Sequence, residues 1–156
     1  MKIAILMRGW PGGGKSYKAN ELSKKYDAKI CSADDFFMVN GKYDFDVTKL
    51  YYAHEKCYSD FVDEVIAGNN IIVDNCNINY RDIKTYLLFL EKYDYKICLY
   101  DVSTNSLEDS IKYRSSDKYV NDDTIKEYHT KFYSNNVIKM AKERHPKLEF
   151  VSKESL

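Results

Sequence analysis

Gly9-Trp10-Pro11-Gly12-Gly13-Gly14-Lys15-Ser16 decides how this chain is read, because it fits G-x-x-x-x-G-K-[ST] without a mismatch. Each residue type has a physical reason to be there. Glycines let successive backbone N–H groups turn inward as an anion cradle that a Cβ would obstruct. Lys15 adds a point charge for the outer phosphates, and the Ser16 hydroxyl can ligate Mg2+. A helix opening at Lys15 aims its N-terminal partial charge at the same anion. A chain of 156 residues with average composition carries this pattern by chance about once in two hundred. The match also falls directly after a strand and before a helix, as the chemistry requires. Gly9, Pro11, Gly12, Gly13, Gly14, Lys15, Ser16 and the adjoining Tyr17 are therefore expected to hold ATP or another NTP, with Ser16 on Mg2+.

Outward from this loop, short apolar runs alternate with segments of helical period, the pattern of an α/β parallel sheet. Ile3 to Met7 reads as a strand buried on both faces. A helix follows from about Lys15 to Tyr26, then a strand at Lys29 to Cys31. Leu50, Ala53, Cys57, Phe61, Val65 and Ile66 recur at helical spacing, predicting one long helix from Val47 to Ala67. Ile71 to Val73 reads as a third strand, Tyr80 to Lys92 as a helix, and Lys96 to Tyr100 as a fourth strand. A short helix around Leu107 to Tyr113 and a polar stretch from Arg114 to Asn121 come next. One last helix is predicted from Asp123 to Glu143, with an edge strand at Leu148 to Val151.

Composition is that of an ordinary soluble globular protein, with 44% hydrophobic and 31% charged residues. No linker-like tract or repeat divides the chain, so residues 1–156 are expected to form one domain. Zero formal net charge argues against tight nonspecific duplex binding. Arginine is scarce, at Arg8, Arg81, Arg114 and Arg144 only, which limits where a bidentate phosphate clamp can come from. Cys31, Cys57, Cys76 and Cys98 form no CxxC pair, so neither zinc nor redox chemistry is expected. The apolar start is too short for a leader and no run reaches membrane-spanning length. The expectation is a cytoplasmic protein with reduced thiols, no membrane association and no obligatory protein partner. Abundant Tyr, Asn and Lys fit AT-rich coding, as in a phage or virus.

A phosphate cradle supplies affinity but no acceptor chemistry. Phosphoryl transfer to a hydroxyl also needs a group that takes or orients the hydroxyl proton. Carboxylates at the carboxyl ends of parallel strands are the natural source: Asp34-Asp35, Asp74 and Asp101. Asp74 ends an apolar trio and has the local form of a Mg2+-holding carboxylate, the lesser alternative being a cap on the Asn75 to Asn79 turn that follows. Asp34 and Asp35 can be a solvated turn or a helix cap, and Asp101 reads as structural. Arg114 begins the polar segment where a mobile lid would sit, or else ends a helix. Arg81 opens the helix after Asp74, within reach of an acceptor. Phe36, Phe37 and Tyr43 can stack a base or be plain core.

Taken together, these residues resemble the 5′-polynucleotide kinase group of P-loop proteins. The resemblance rests on Arg8 to Ser16, Ser32-Ala33-Asp34-Asp35-Phe36-Phe37, Tyr43-Asp44-Phe45-Asp46, Ala53-His54, Val73-Asp74-Asn75-Cys76-Asn77 and the stretch from Arg114 to Val120, in that order. It implies a P-loop NTPase fold, a mostly parallel sheet with helices on both faces, and a short kinase-type lid. It also implies Asp34 as the general base, Asp74 as the active-site carboxylate and Arg114 as the lid arginine. Asp35, Phe37 and Arg81 would fall on the acceptor side. The chain departs from the group where the bacteriophage member carries an arginine after its Asp pair, since Phe36-Phe37 stand there. Tyr17 replaces the usual Thr, the lid is about one residue longer, and no D-x-D-x-T/V phosphatase motif is present. The activity implied is ATP- and Mg2+-dependent transfer of the γ-phosphate to the 5′-OH end of RNA or DNA. A small-molecule kinase or an ATP-binding switch are the alternatives.

Overall fold

The apolar run Ile3–Met7 lies in strand β1 (Lys2–Arg8), where Ala4, Ile5, Leu6 and Met7 are all buried. This computed structural model describes residues 2–112 and 120–156. In chain order β1 is followed by helix α1 (Lys15–Tyr26), strand β2 (Ala28–Cys31), the short strands β3 (Met38–Val39) and β4 (Lys42–Tyr43), and helix α2 (Leu50–Ile66). Strand β5 (Asn70–Val73), helix α3 (Tyr80–Leu90), strand β6 (Tyr95–Asp101), helices α4 (Leu107–Lys112), α5 (Asp122–Ser134) and α6 (Val137–Arg144), and strand β7 (Glu149–Phe150) complete the order.

Five parallel strands form one sheet in the order β2-β5-β1-β6-β7, with β1 at its centre. Strand side chains alternate between the two faces. Ala4 and Leu6 pack with Ala53, Phe61, Ile83, Leu87 and Ala141 from α2, α3 and α6. Ile5 and Met7 pack with Ala19 and Leu22 of α1 on the other face. Helices thus cover both faces, and every central strand is buried twice over, which is why the strands read as continuous apolar runs. A third apolar cluster around Trp10, Ile78, Ile125 and Phe132 joins α5 to the carboxyl end of the sheet.

Two predicted helices differ from the structure. The segment Val47–Ala67 begins as a 3-10 turn (Val47–Lys49) capped by Asp46, whose carboxylate accepts the Thr48 N–H at 3.0 Å; α2 starts only at Leu50. Its buried stripe is Ala53, Cys57, Phe61 and Val65, four residues apart, which leaves Leu50 and Ile66 exposed. The segment Asp123–Glu143 is two helices, broken at Asn135-Asn136. Asn135 takes an extended backbone, and its amide donates to Asn79 Oδ1 (2.8 Å) and Ile78 O (3.3 Å). The break lets α5 face Trp10 through Ile125 and Phe132 while α6 turns Val137 and Ala141 toward the sheet. The β3–β4 hairpin was not predicted, although its Asn40-Gly41 turn has φ of 52° and 78°, as a two-residue hairpin demands.

Candidate active site

The register places three chain segments side by side at the carboxyl edge of the sheet. Cys31 pairs with Val73 and Val73 with Leu6, so the segments after β2, β5 and β1 emerge together. They carry Asp34, Asp74 and the glycine-rich loop, and such an edge is where open parallel sheets hold ligands.

The loop is shaped from outside. Thr104 Oγ1 donates to Gly13 O and Asn105 Nδ2 to Gly12 O, each at 2.7 Å. The Gly13–Gly14 peptide therefore turns its N–H away from Thr104, as a trans peptide must. Gly14 is the N-cap of α1 at φ 99°, and a Cβ there would run into the Thr104 hydroxyl. Trp10 anchors the loop inward: it is 1% exposed, donates from Nε1 to Ser110 Oγ at 2.8 Å, and meets His129 and Phe132 edge-on. Gly9 N–H donates to Cys76 O at 3.0 Å, tying the loop to the segment after β5.

Lys15, on the first turn of α1, is partly buried and reaches Trp10 O at 3.4 Å. Burial opposes its charge, but Cys76, Asp74 and Asp34 around it outweigh that and raise its pKa above the usual lysine value. The Cys76 thiol is pushed up by burial, with Lys15 pulling the other way. Ser16 donates from Oγ to Asp74 Oδ2 at 3.0 Å, and Asp74 is 8% exposed. Pro11 is partly buried, while Tyr17 is 77% exposed.

Asp34 sits in a 3-10 turn, Ala33–Phe37, capped by Ser32, whose hydroxyl accepts the Asp34 N–H at 3.3 Å. The turn is also pinned across strands, because Ala33 N–H donates to Asn75 Oδ1 at 2.9 Å. Asn75 in turn donates to Cys57 Sγ of α2 at 3.5 Å. Tyr43 of β4 donates its hydroxyl proton to Asp34 Oδ1 at 3.1 Å, and burial followed by the nearby carboxylate raises the Tyr43 pKa. Asp35 is exposed and Phe37 is buried in the main core. Arg81 is exposed on the first turn of α3. Arg114 and most of the predicted lid lie outside the described residues.

The structure thus gathers Lys15, Ser16, Asp74 and Asp34; Tyr43, expected only as a stacking or core ring, instead bonds Asp34, and Asn75, Thr104 and Asn105, none expected in a supporting role, hold the Asp34 turn and the loop carbonyls of Gly13 and Gly12. Tyr43 and Asn75 stand inside the family-like stretches, but nothing in their spacing tells which group they touch. Arg8 and Asp101 belong to the frame. The buried Arg8 guanidinium donates to Ile78 O at 3.0 Å, Phe132 O at 3.3 Å and Asp101 Oδ1 at 3.4 Å. Among the described residues no helix is long and apolar enough to cross a membrane.

No protein-family profile matches the chain. It is 35% identical over 107 residues to human NEDD4-binding protein 2, covering 65% of this chain and 6% of that protein. It is similar in structure to a chain of the Pnkp1/Rnl/Hen1 RNA repair complex, with a TM-score of 0.66 and 17% identity over 89% of this chain and 46% of that one. A chain of the AvrRxo1-ORF1:AvrRxo1-ORF2 complex with ATP superposes with a TM-score of 0.67 and 16% identity, covering 97% of this chain and 54% of that one. A chain of the PezAT toxin–antitoxin system of Streptococcus pneumoniae gives 0.63 and 18%, covering 99% and 69%. The chain spans about half the length of the first two solved chains and a small part of the human relative. The likeness to the solved structures shows the fold: a five-stranded parallel sheet with helices on both faces, in the P-loop kinase-like arrangement.

Proposed function

We propose that the chain is an ATP-dependent phosphotransferase, residues 1–156 acting as one unit, which moves the γ-phosphate to the 5′-OH end of RNA or DNA. The observation that carries this reading is that Asp74, bonded to Ser16 at 3.0 Å, and Asp34, on the turn that Asn75 pins, follow two neighbouring strands beside the glycine-rich loop at the head of α1. A protein that only grips nucleotide needs no second carboxylate braced by Asn75 and Tyr43.

The residues present fit Mg2+. The Ser16 hydroxyl and the Asp74 carboxylate meet at 3.0 Å beside the cradle. Ser16 and Asp74 would hold Mg2+, and the bound ion would supply neutralising charge to the phosphates. Lys15 would hold the outer phosphates and the loop backbone at Gly12 and Gly14 the inner ones, the Gly13 N–H donating to Trp10 O at 3.0 Å. Asp34 accepts the proton of the acceptor hydroxyl, and that hydroxyl's oxygen bonds to the γ-phosphorus as the bond from the γ-phosphorus to the β-phosphate oxygen breaks and ADP leaves. Arg114 and Arg81 are the proposed sources of further cationic contacts, on the donor and acceptor sides respectively.

The solved structures lend support by kind: one belongs to an RNA repair complex and another was determined with ATP. The test is transfer of labelled γ-phosphate to 5′-OH RNA and DNA oligonucleotides, nucleosides and sugars. Labelled oligonucleotide ends are the expected product. Labelling of small acceptors alone would move the function to a small-molecule kinase, and ATP binding without any transfer would leave a nucleotide switch.

A further inference from the structure

The two phenylalanines that follow the Asp pair have separate fates. Phe37 is 2% exposed and packs in the main core, whereas Phe36 is 38% exposed and Phe45 50% exposed. Phe37 holds both, with ring centroids 5.4 Å from Phe36 and 5.0 Å from Phe45. These rings and Val47 border an open cleft of about 490 Å³ between the β3–β4 hairpin and the start of α2, with Asp44 and Lys49 also along it. That volume lies within the range of small-molecule pockets, roughly 300–1,000 Å³. Tyr43, whose hydroxyl is bonded to Asp34, lies nearly parallel to Phe45 at 17° and 6.3 Å, so the cleft begins one side chain from the carboxylate.

We infer that this cleft receives the terminal nucleobase of a single-stranded acceptor whose 5′-OH lies at Asp34, an inference that rests on the proposed phosphotransfer reading. The lining selects among chemistries. A sugar offers hydroxyls all round and finds apolar rings here. A run of phosphates would meet Asp44 and Asp46 on the same rim. A base presents a flat π-face for Phe36 or Phe45 and a polar edge for Asp44 and Lys49, and stacking of this kind tolerates any base. In a nucleoside the base and the 5′-OH are one sugar apart, which matches a cleft that adjoins the carboxylate without enclosing it. A platform of this kind would let a chain of zero net charge hold a strand end without a basic channel.

The test reads binding apart from catalysis. A 5′-OH oligonucleotide carrying 2-aminopurine as its first base is titrated into wild type, Phe36→Ala, Phe45→Ala and Phe45→Tyr, with ATP affinity measured alongside as the check on folding. Wild type and Phe45→Tyr should quench the fluorophore. The two alanine variants should bind at least about fivefold more weakly, the lower end of what one stacked base is worth, with ATP affinity unchanged. An oligonucleotide with an abasic first residue should bind as weakly to wild type as the intact one does to the alanine variants. Equal binding of the abasic strand, or alanine variants that bind and quench like wild type, would overturn the assignment. Phosphate transfer that persists in that case leaves the kinase reading standing without the cleft. Base-dependent quenching in a protein that transfers nothing supports the cleft and removes the kinase.

Discussion

Asp34 is held by residues from two other segments, and each makes a separable claim. Asn75 fixes the turn that carries Asp34 by accepting the Ala33 N–H, yet it touches neither Lys15 nor Ser16 in any hydrogen bond described. Asn75→Ala removes that acceptor and leaves a part-buried N–H to find another, a change worth about 1–3 kcal/mol. Asn75→Ala should therefore lower the transfer rate while ATP affinity stays within about twofold, because the rate depends on where the base sits. Steady-state kinetics beside an ATP titration checks it, and an equal loss in both would mean that Asn75 supports the phosphate cradle instead. At the loop, Gly14→Ala forces a side chain onto φ 99° and into Thr104, so ATP binding should be lost in a titration that wild type passes.

Among the elements, the β3–β4 hairpin carries Tyr43 to Asp34 and borders the aromatic cleft. Gly41 has φ 78° and a Cβ there would meet nothing within 4 Å, so Gly41→Ala isolates the backbone cost of the turn. It should destabilise the protein by about 1 kcal/mol, measured by urea denaturation; an unchanged midpoint would show that the turn relaxes freely. The hairpin's Asn40-Gly41 signal was in the sequence, but flanking strands of two residues give no alternation to reveal it. The same limit explains the long helices. Periodicity showed that Ala53, Cys57, Phe61 and Val65 share a face, and it ran on through Val47 because a 3-10 turn and a first helical turn look alike in sequence. The α5–α6 break depends on Asn135 meeting Asn79, a contact 56 residues away that no local pattern contains. By contrast the loop, α1 and the central strands were legible because local chemistry dictates them.

Across the whole molecule, the sheet order makes the site: β1 lies between β5 and β6, and the loop at its end faces the carboxylates of β5 and β2. The same double burial shields the thiols. Burial pushes Cys31 and Cys98 up to about 12, so near pH 8, below the usual thiol value of about 8.5, both stay protonated as well as enclosed. Neither should be alkylated by iodoacetamide in the native protein and both should be in denaturant, read by mass spectrometry; rapid native modification would contradict the packing. Lys15, Ser16, Asp74 and Asp34 were named from sequence because each follows a strand or opens a helix, whereas the bond from Tyr43 to Asp34 and the Asn75 brace depend on contacts that only the folded chain makes. In the proposed reaction Asp34 serves the acceptor hydroxyl while the loop holds ATP. Single-turnover transfer by wild type and Asp34→Asn, with ATP affinity measured on the same preparations, tests it most directly. Unchanged ATP affinity and a loss of about a hundredfold or more in transfer, the scale of general base catalysis, are expected. Transfer undiminished in Asp34→Asn would contradict it.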